Sequence, residues 1–281
     1  MGKRQRDGDK RQAKESKKKE VIDSNSLNLL DIPRPRKYTV TIALPGSIVA
    51  NAQSVELKTY LAGQIARAAT IFNVDEIVVF SEDGQKLEIN KGLDRNSKRT
   101  DENVFLARVL EYLECPQYLR KALFPMHPDL RFAGLLNPLD APHHLKADKI
   151  CKYREGVSLK RNGAGTMINV GLNTEIRIPE VISPNTRVTV SINDPEFLGR
   201  VGEGVTVSPS VPREELGLYW GYSTRLAAGL SEVFTHCPYE GGYDLALGTS
   251  DKGDTAQDAS FKLRPFKHLL IVFGGLRGIE S

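Results

Sequence analysis

Three short stretches in the last quarter of the chain gather residue types that could do chemistry. Gly274-Gly275-Leu276-Arg277-Gly278 follows an apolar run, Leu269 to Phe273. Glycines let backbone approach a ligand closely and reach positive φ, so Gly274, Gly275 and Leu276 could cradle a small molecule with main-chain donors. Taken alone, the same pattern is also an ordinary tight turn. Thr249-Ser250-Asp251-Lys252 ends another short run, Tyr243 to Leu247, and could face the same crevice; its plain alternative is a solvated turn held by Asx or hydroxyl bonds. Arg225 reads as the start of a helix carrying Leu226, Leu230, Val233 and Phe234. A cation there opposes the helix dipole, which slightly favours a purpose such as binding an RNA phosphate or a target base; an ordinary surface arginine is the equal alternative.

Such residues need strands behind them, because ligands of open α/β sheets sit beyond the carboxyl ends of parallel strands. Tyr38 to Leu44 reads as a strand, followed by a helix with Leu57, Leu61, Ile65, Ala68 and Phe72 on one stripe and a cap near Asn51 or Ser54. Glu76 to Phe80 is the next strand, so the unit is βαβ and the sheet parallel. Residues 81–100 carry charge, Gly and Asn without period and read as a mobile loop. A second helix from about Glu102 buries Leu106, Val109, Leu110 and Leu113, and Pro116 opens a third that ends before Pro125.

From about Lys149 to Val211 the pattern changes to five short β-rich runs at roughly ten-residue spacing, separated by turn signals, which predicts a small antiparallel barrel of OB-like size. Lys152, Arg154, Lys160 and Arg161 make its rim basic, with Tyr153 interleaved as a stacking platform for a base; a structural barrel that touches no RNA is the alternative. His143-His144 suggests metal, but adjacent side chains diverge and no Cys or carboxylate stands at ligand spacing, so no metal site is expected. No Walker loop, Gly-x-Gly-x-x-Gly or Ser/His/Asp spacing is present, which leaves nucleotide hydrolysis and acyl transfer without support.

At 281 residues, 40% hydrophobic and 26% charged, the chain can bury a core and build two domains. Its apolar runs fall far short of the roughly 20 residues that cross a bilayer, and no signal peptide is evident, which points to an intracellular protein without a membrane partner. Cys115, Cys151 and Cys237 are scattered, as suits a reducing compartment. Residues 1–20 hold nine Lys/Arg against four acids, a local +5 that leaves the remaining 261 residues at −1. Such an arm reads as disordered and as an attractor of phosphates, a nuclear address or a solubiliser.

Tyr219-Trp-Gly-Tyr-Ser-Thr-Arg-Leu-Ala227, Gly248-Thr-Ser-Asp-Lys-Gly253 and Val272-Phe-Gly-Gly-Leu276 resemble the SPOUT-class RNA methyltransferases, an animal subfamily above all. Gln117-Tyr-Leu-Arg-Lys-Ala-Leu-Phe-Pro125 and Gly134-Leu-Leu-Asn-Pro-Leu-Asp-Ala-Pro-His-His-Leu145 extend the match, which runs from about residue 30 to 280. The resemblance implies a knotted α/β homodimer with an inserted OB-like barrel. It would transfer methyl from S-adenosyl-L-methionine to RNA, at N3 of a ribosomal-RNA uridine. It makes Gly274, Gly275, Leu276 and Lys252 cofactor contacts and gives Arg225 a catalytic role. Relatives usually carry Glu-Arg where this chain has Asp251-Lys252. The resemblance also implies a nuclear protein associated with the mitotic spindle and kinetochore.

The expected organisation is an arm and linker at 1–36, a SPOUT domain in two parts at 37–148 and 212–281, and the barrel at 149–211. Family members continue past the Phe-Gly-Gly loop with a strand and a helix that complete the knot, so a chain ending at 281 is expected to lack that segment and to bind cofactor weakly. That expectation keeps a second reading open, a non-catalytic RNA-binding or interaction protein.

Overall fold

The computed structural model describes residues 34–82, 100–162, 165–195, 201–255, 264–275 and 278. The basic arm, the greater part of the expected 81–100 loop, Leu276, Arg277 and the side chains of Lys160 and Arg161 lie outside the described residues. Among the described residues no helix is long and apolar enough to cross a membrane.

The chain begins with β1 (Thr39–Pro45), α1 (Val55–Ile71) and β2 (Glu76–Phe80). The Ser54 hydroxyl caps α1 by accepting from the Leu57 amide at 3.3 Å, satisfying a donor that a helix start leaves free. α2 (Glu102–Glu114) is capped by Asp101, whose carboxylate accepts from the Asn103 and Val104 amides, and buries Leu106, Val109, Leu110 and Leu113 as their spacing predicts. α3 (Gln117–Leu123) follows, with Pro116 as its N-cap.

The stripe expected on α1 is a correction. Thr59, Ala62, Ala66 and Ala69 are the buried residues, while Leu57 is 54% and Phe72 76% exposed. Small side chains let the helix lie close to the sheet. Ile65, Ala68 and Phe72 instead wall an apolar groove of about 520 Å³, floored by Val40, Ile42, Leu44 and Ile271 and flanked by Phe273.

A five-strand barrel comes next: β3 (Tyr153–Asn162), β4 (Gly165–Asn169), β5 (Ile176–Ile178), β6 (Arg187–Ile192) and β7 (Gly202–Val207). It closes in the order β3-β4-β5-β7-β6 around Ile168, Val170, Ile176, Ile178, Val190 and Ile192. Closure removes the free sheet edges. The expected strands are all present, but the barrel is not wholly antiparallel, because β5 and β7 run parallel.

α4 (Val211–Leu216) leads back to β8 (Ser223–Ala227), α5 (Leu230–Thr235), β9 (Leu245–Gly248) and β10 (His268–Val272). These complete a parallel sheet in the order β8-β2-β1-β10-β9. Alternate residues of β1 serve its two faces. Leu44 joins the core under α1 and α2, while Ala43 joins Val78, Leu270 and Val233 on the side of α5.

Candidate functional site

The carboxyl ends of β1 and β10 form the point where the sheet's connections diverge, since β1 leads to β2 on one side and β10 neighbours β9 on the other. That crevice is where an α/β sheet binds ligands. The Gly274-Gly275 loop leaves β10 there, and the Phe273 amide donates to the Ala43 carbonyl at 2.8 Å, fastening the loop's start to the end of β1. Gly275 bridges to Gly278, whose φ of 81° suits a residue without Cβ. β9 ends one strand away, and the Thr249 amide and hydroxyl both donate to the Val272 carbonyl, at 2.9 and 3.1 Å. Lys252 lies exposed on the following turn, where its own amide donates to Ser250 Oγ at 3.1 Å. The glycine loop and the Thr249 to Lys252 turn, singled out separately in the sequence, therefore share one edge of the sheet.

Glu82 joins them from the other side. It stands two residues past β2, accepts a hydrogen bond from Ser47 Oγ, and reaches over the end of β1. A Cβ built on Gly275 would lie 2.4 Å from Glu82 Oε1. Sequence reasoning missed Glu82 because it stood inside the stretch read as a mobile loop; a carboxylate just past a buried strand was the available signal.

Arg225 sits in β8, not in a helix. Ser223 to Ala227 pair in parallel with Glu76 to Phe80, and the helix starts only after Gly229. A five-residue edge strand is too short to show a period that sets it apart from the helix that follows. Each nitrogen of the Arg225 guanidinium donates: Nε to Glu76 Oε1 at 2.9 Å, Nη1 to the Glu232 carbonyl at 3.3 Å, and Nη2 to the Val233 carbonyl and the Tyr243 hydroxyl at 3.1 Å each. Tyr243 in turn donates to Glu76 Oε2 at 2.7 Å. Burial works against the Arg225 charge, but Glu76 outweighs it and raises the pKa. Burial and Glu76 both raise that of Tyr243. The arginine thus ties β8, β2 and the end of α5 together.

The expected basic rim changes as well. Arg154 is 2% exposed, with its guanidinium donating to the carbonyls of Leu145, Lys146 and Lys149, so it holds the entry to the barrel and does not face solvent. Tyr153 is buried against Trp220 and donates to Glu215, which removes it as a stacking platform. Lys152 is exposed, paired to Glu215 at 3.0 Å.

A buried polar network joins barrel to sheet. Arg187 of β6 reaches Glu114 at the end of α2, and its Nε donates to Glu155 Oε2 at 2.6 Å. Glu155 also accepts from Thr189 and from Trp220 Nε1, the latter at 2.6 Å. Burial would raise the Glu114 carboxyl, but Arg187 and then His143 hold it well below the usual range. His143 and His144 do not diverge as expected. Both rings direct Nε2 at the Glu114 carbonyl, at 3.0 and 2.6 Å, with centroids 4.4 Å apart. Among the described residues no cluster could hold a metal ion.

Comparison with known sequences agrees with this architecture. The protein named 28S rRNA (uridine-N(3))-methyltransferase of the mouse Mus musculus is 52% identical over 251 residues, covering 88% of this chain and 65% of its own length. The human protein of that name is 51% identical, covering 88% of this chain and 67% of its own length. That of Drosophila melanogaster is 45% identical, covering 99% and 60%. This chain therefore spans about two thirds of the length of the relatives it matches. A family model described as "Putative RNA methyltransferase" matches residues 39–281, and the chain belongs to that family of RNA methyltransferases.

Proposed function

We propose that this chain transfers a methyl group from S-adenosyl-L-methionine to N3 of a uridine in large-subunit ribosomal RNA. The observation that carries the reading is the convergence of the Gly274-Gly275 loop and the Thr249 to Lys252 turn at the crevice between β1 and β10, in a chain 45 to 52% identical to proteins named for that reaction. The loop suits such a cofactor: Gly275 carries no side chain, the place a Cβ would take being held by Glu82, and bare backbone there can meet an adenosine closely. When bound, the cofactor supplies an electrophilic methyl group.

The chain's own work is positioning and exclusion of water, because displacement at a sulfonium needs alignment more than covalent help. Gly274, Gly275 and Leu276 present main-chain groups to the cofactor, and Lys252 contributes a cation to cofactor or substrate. Arg225 acts from behind, keeping β2 and β8 in register under the crevice. Lys152, Lys160 and Arg161 of the barrel, with the N-terminal arm, attract the RNA backbone.

The finer architecture belongs to the same proposal. The order β8-β2-β1-β10-β9 supports a SPOUT-type sheet, knotted and homodimeric, and the closing β5 and β7 pair supports an OB-like barrel inserted at 149–211 between the SPOUT segments 37–148 and 212–281. A nuclear location suits the rRNA substrate and the basic arm. One observation favours a second reading, a non-catalytic RNA-binding or spindle- and kinetochore-associated protein: every arm of the Arg225 guanidinium is already used within the chain. Incubating the chain with methyl-labelled S-adenosylmethionine and large-subunit rRNA, then digesting to nucleosides, separates the two. Label in 3-methyluridine supports the enzyme; RNA binding with no transfer moves the protein to the second reading.

A further inference from the structure

The structure brings the Glu82 carboxylate against the glycine loop. Its position follows from three strands. β2 delivers it, β1 lies between, and β10 ends in the Gly274-Gly275 loop on the far side. Ser47, two residues past β1, donates its hydroxyl to Oε2 and holds the side chain across the strand end. Gly275 has no Cβ, and the place one would take is where the carboxylate stands, 2.4 Å from Oε1 and 3.0 Å from Cδ. Three neighbouring segments therefore agree in keeping an anion over the crevice.

An anion at that point distinguishes ligands by charge. Given the function proposed above, the incoming methyl donor carries a sulfonium and an ammonium, whereas the product left after transfer has lost the sulfonium charge and is a neutral thioether. A carboxylate lining the crevice would attract the first more than the second, even at the high dielectric of an exposed site. Such attraction weakens as the sulfonium charge disperses in the transition state, so it aids donor capture and product exchange without aiding the chemical step.

We propose that Glu82 is a specificity residue of the methyl-donor crevice, an anionic contact that favours the cationic donor over its demethylated product. This rests on the functional reading above.

Isothermal titration of the chain with S-adenosylmethionine and, separately, with S-adenosylhomocysteine tests it in the wild type and in Glu82→Gln. The variant keeps the shape and the bond from Ser47. It should bind the donor about fivefold more weakly, the factor expected for one charge pair near 4 Å in a water-like medium, and bind the product within twofold of wild type. Donor discrimination should fade with added salt in the wild type alone. Equal losses for both ligands, or none for either, would overturn the proposal while leaving the crevice a cofactor site. A wild-type chain that binds neither ligand would instead bring down the functional reading on which the proposal stands. Glu82 is exposed, so the variant should melt with the wild type, and a shared melting curve excludes misfolding as the cause.

Discussion

Arg187 and Glu114, 73 residues apart in sequence, face each other as a two-pronged ion pair, Nη1 at 2.5 Å from Oε2 and Nη2 at 2.9 Å from Oε1. One belongs to the barrel and the other to the helix that covers the parallel sheet, so their contact fixes how the two units sit. Glu114 is buried and Arg187 retains 30% side-chain exposure. Removing the arginine strands two buried carboxylates, Glu114 and Glu155. Arg187→Met should therefore cost about 3 kcal/mol in urea unfolding, and Arg187→Met with Glu114→Gln should recover a large part of it. A loss under 1 kcal/mol for the single variant would mean that the pair is dispensable.

The same region sets an acid sensitivity. Burial and the neighbouring His143 push His144 down to about 4. The unfolded chain, with His144 near 6.5, then binds more protons than the folded one between those values, so stability falls as the pH drops through that window. Glu114, held low in the folded state, adds a second loss that begins below its ordinary value near 4.5. His144→Asn should flatten the upper part of the profile, from pH 6.5 to 4, and leave the lower part intact, as followed by thermal melting across pH.

Arg225 needs a paired design because of Glu76. Arg225→Ala leaves the Glu76 carboxylate, 1% exposed, without its cation, and should destabilise the fold by about 3 kcal/mol. Arg225→Met with Glu76→Gln should restore most of the stability. If methyl transfer by that double variant returns with the fold, Arg225 acts by positioning; a stable double variant that binds RNA but transfers nothing would assign it a direct part.

At the crevice, Gly275→Ala forces a methyl group against Glu82. S-adenosylmethionine affinity should drop about tenfold, roughly 1.4 kcal/mol, with the melting temperature nearly unchanged. Retained affinity would place the cofactor elsewhere.

For RNA, deleting residues 1–20, which carry the local +5, should flatten the dependence of affinity on salt, since fewer counterions are released. Lys152→Ala should have a smaller effect, because Glu215 already neutralises that ammonium.

Much of the fold was legible where physics is local. Ser54 and Pro116 mark helix starts through a hydrogen bond or a missing donor, and the stripe Leu106, Val109, Leu110 and Leu113 on α2 is buried. On α1 the same rule failed, because ranking positions by hydrophobicity selects Leu57 and Phe72, whereas the distance between helix and sheet selects Ala62, Ala66 and Ala69. Arg225 was misplaced for want of its partner strand, 149 residues earlier at Glu76. Arg154 looked like surface charge, and nothing in its neighbours announces that three backbone carbonyls will surround it. Glu82 gains its meaning only when Ser47 and Gly275 arrive beside it from other strands.

The pairing of Thr39 with His268 carries a cost in time. These residues stand 229 positions apart, and β1 is the central strand of the sheet. On a ribosome adding about 5–20 residues each second, β1 emerges roughly 10–45 s before β10 exists to pair with it. The barrel closes through pairings much nearer in sequence, and can form during that interval. Nascent chains of this protein therefore carry a half-built sheet for most of that interval, with a finished barrel beside it only for about the last 3–12 s, a period when chaperone binding to β1 and β2 should matter most.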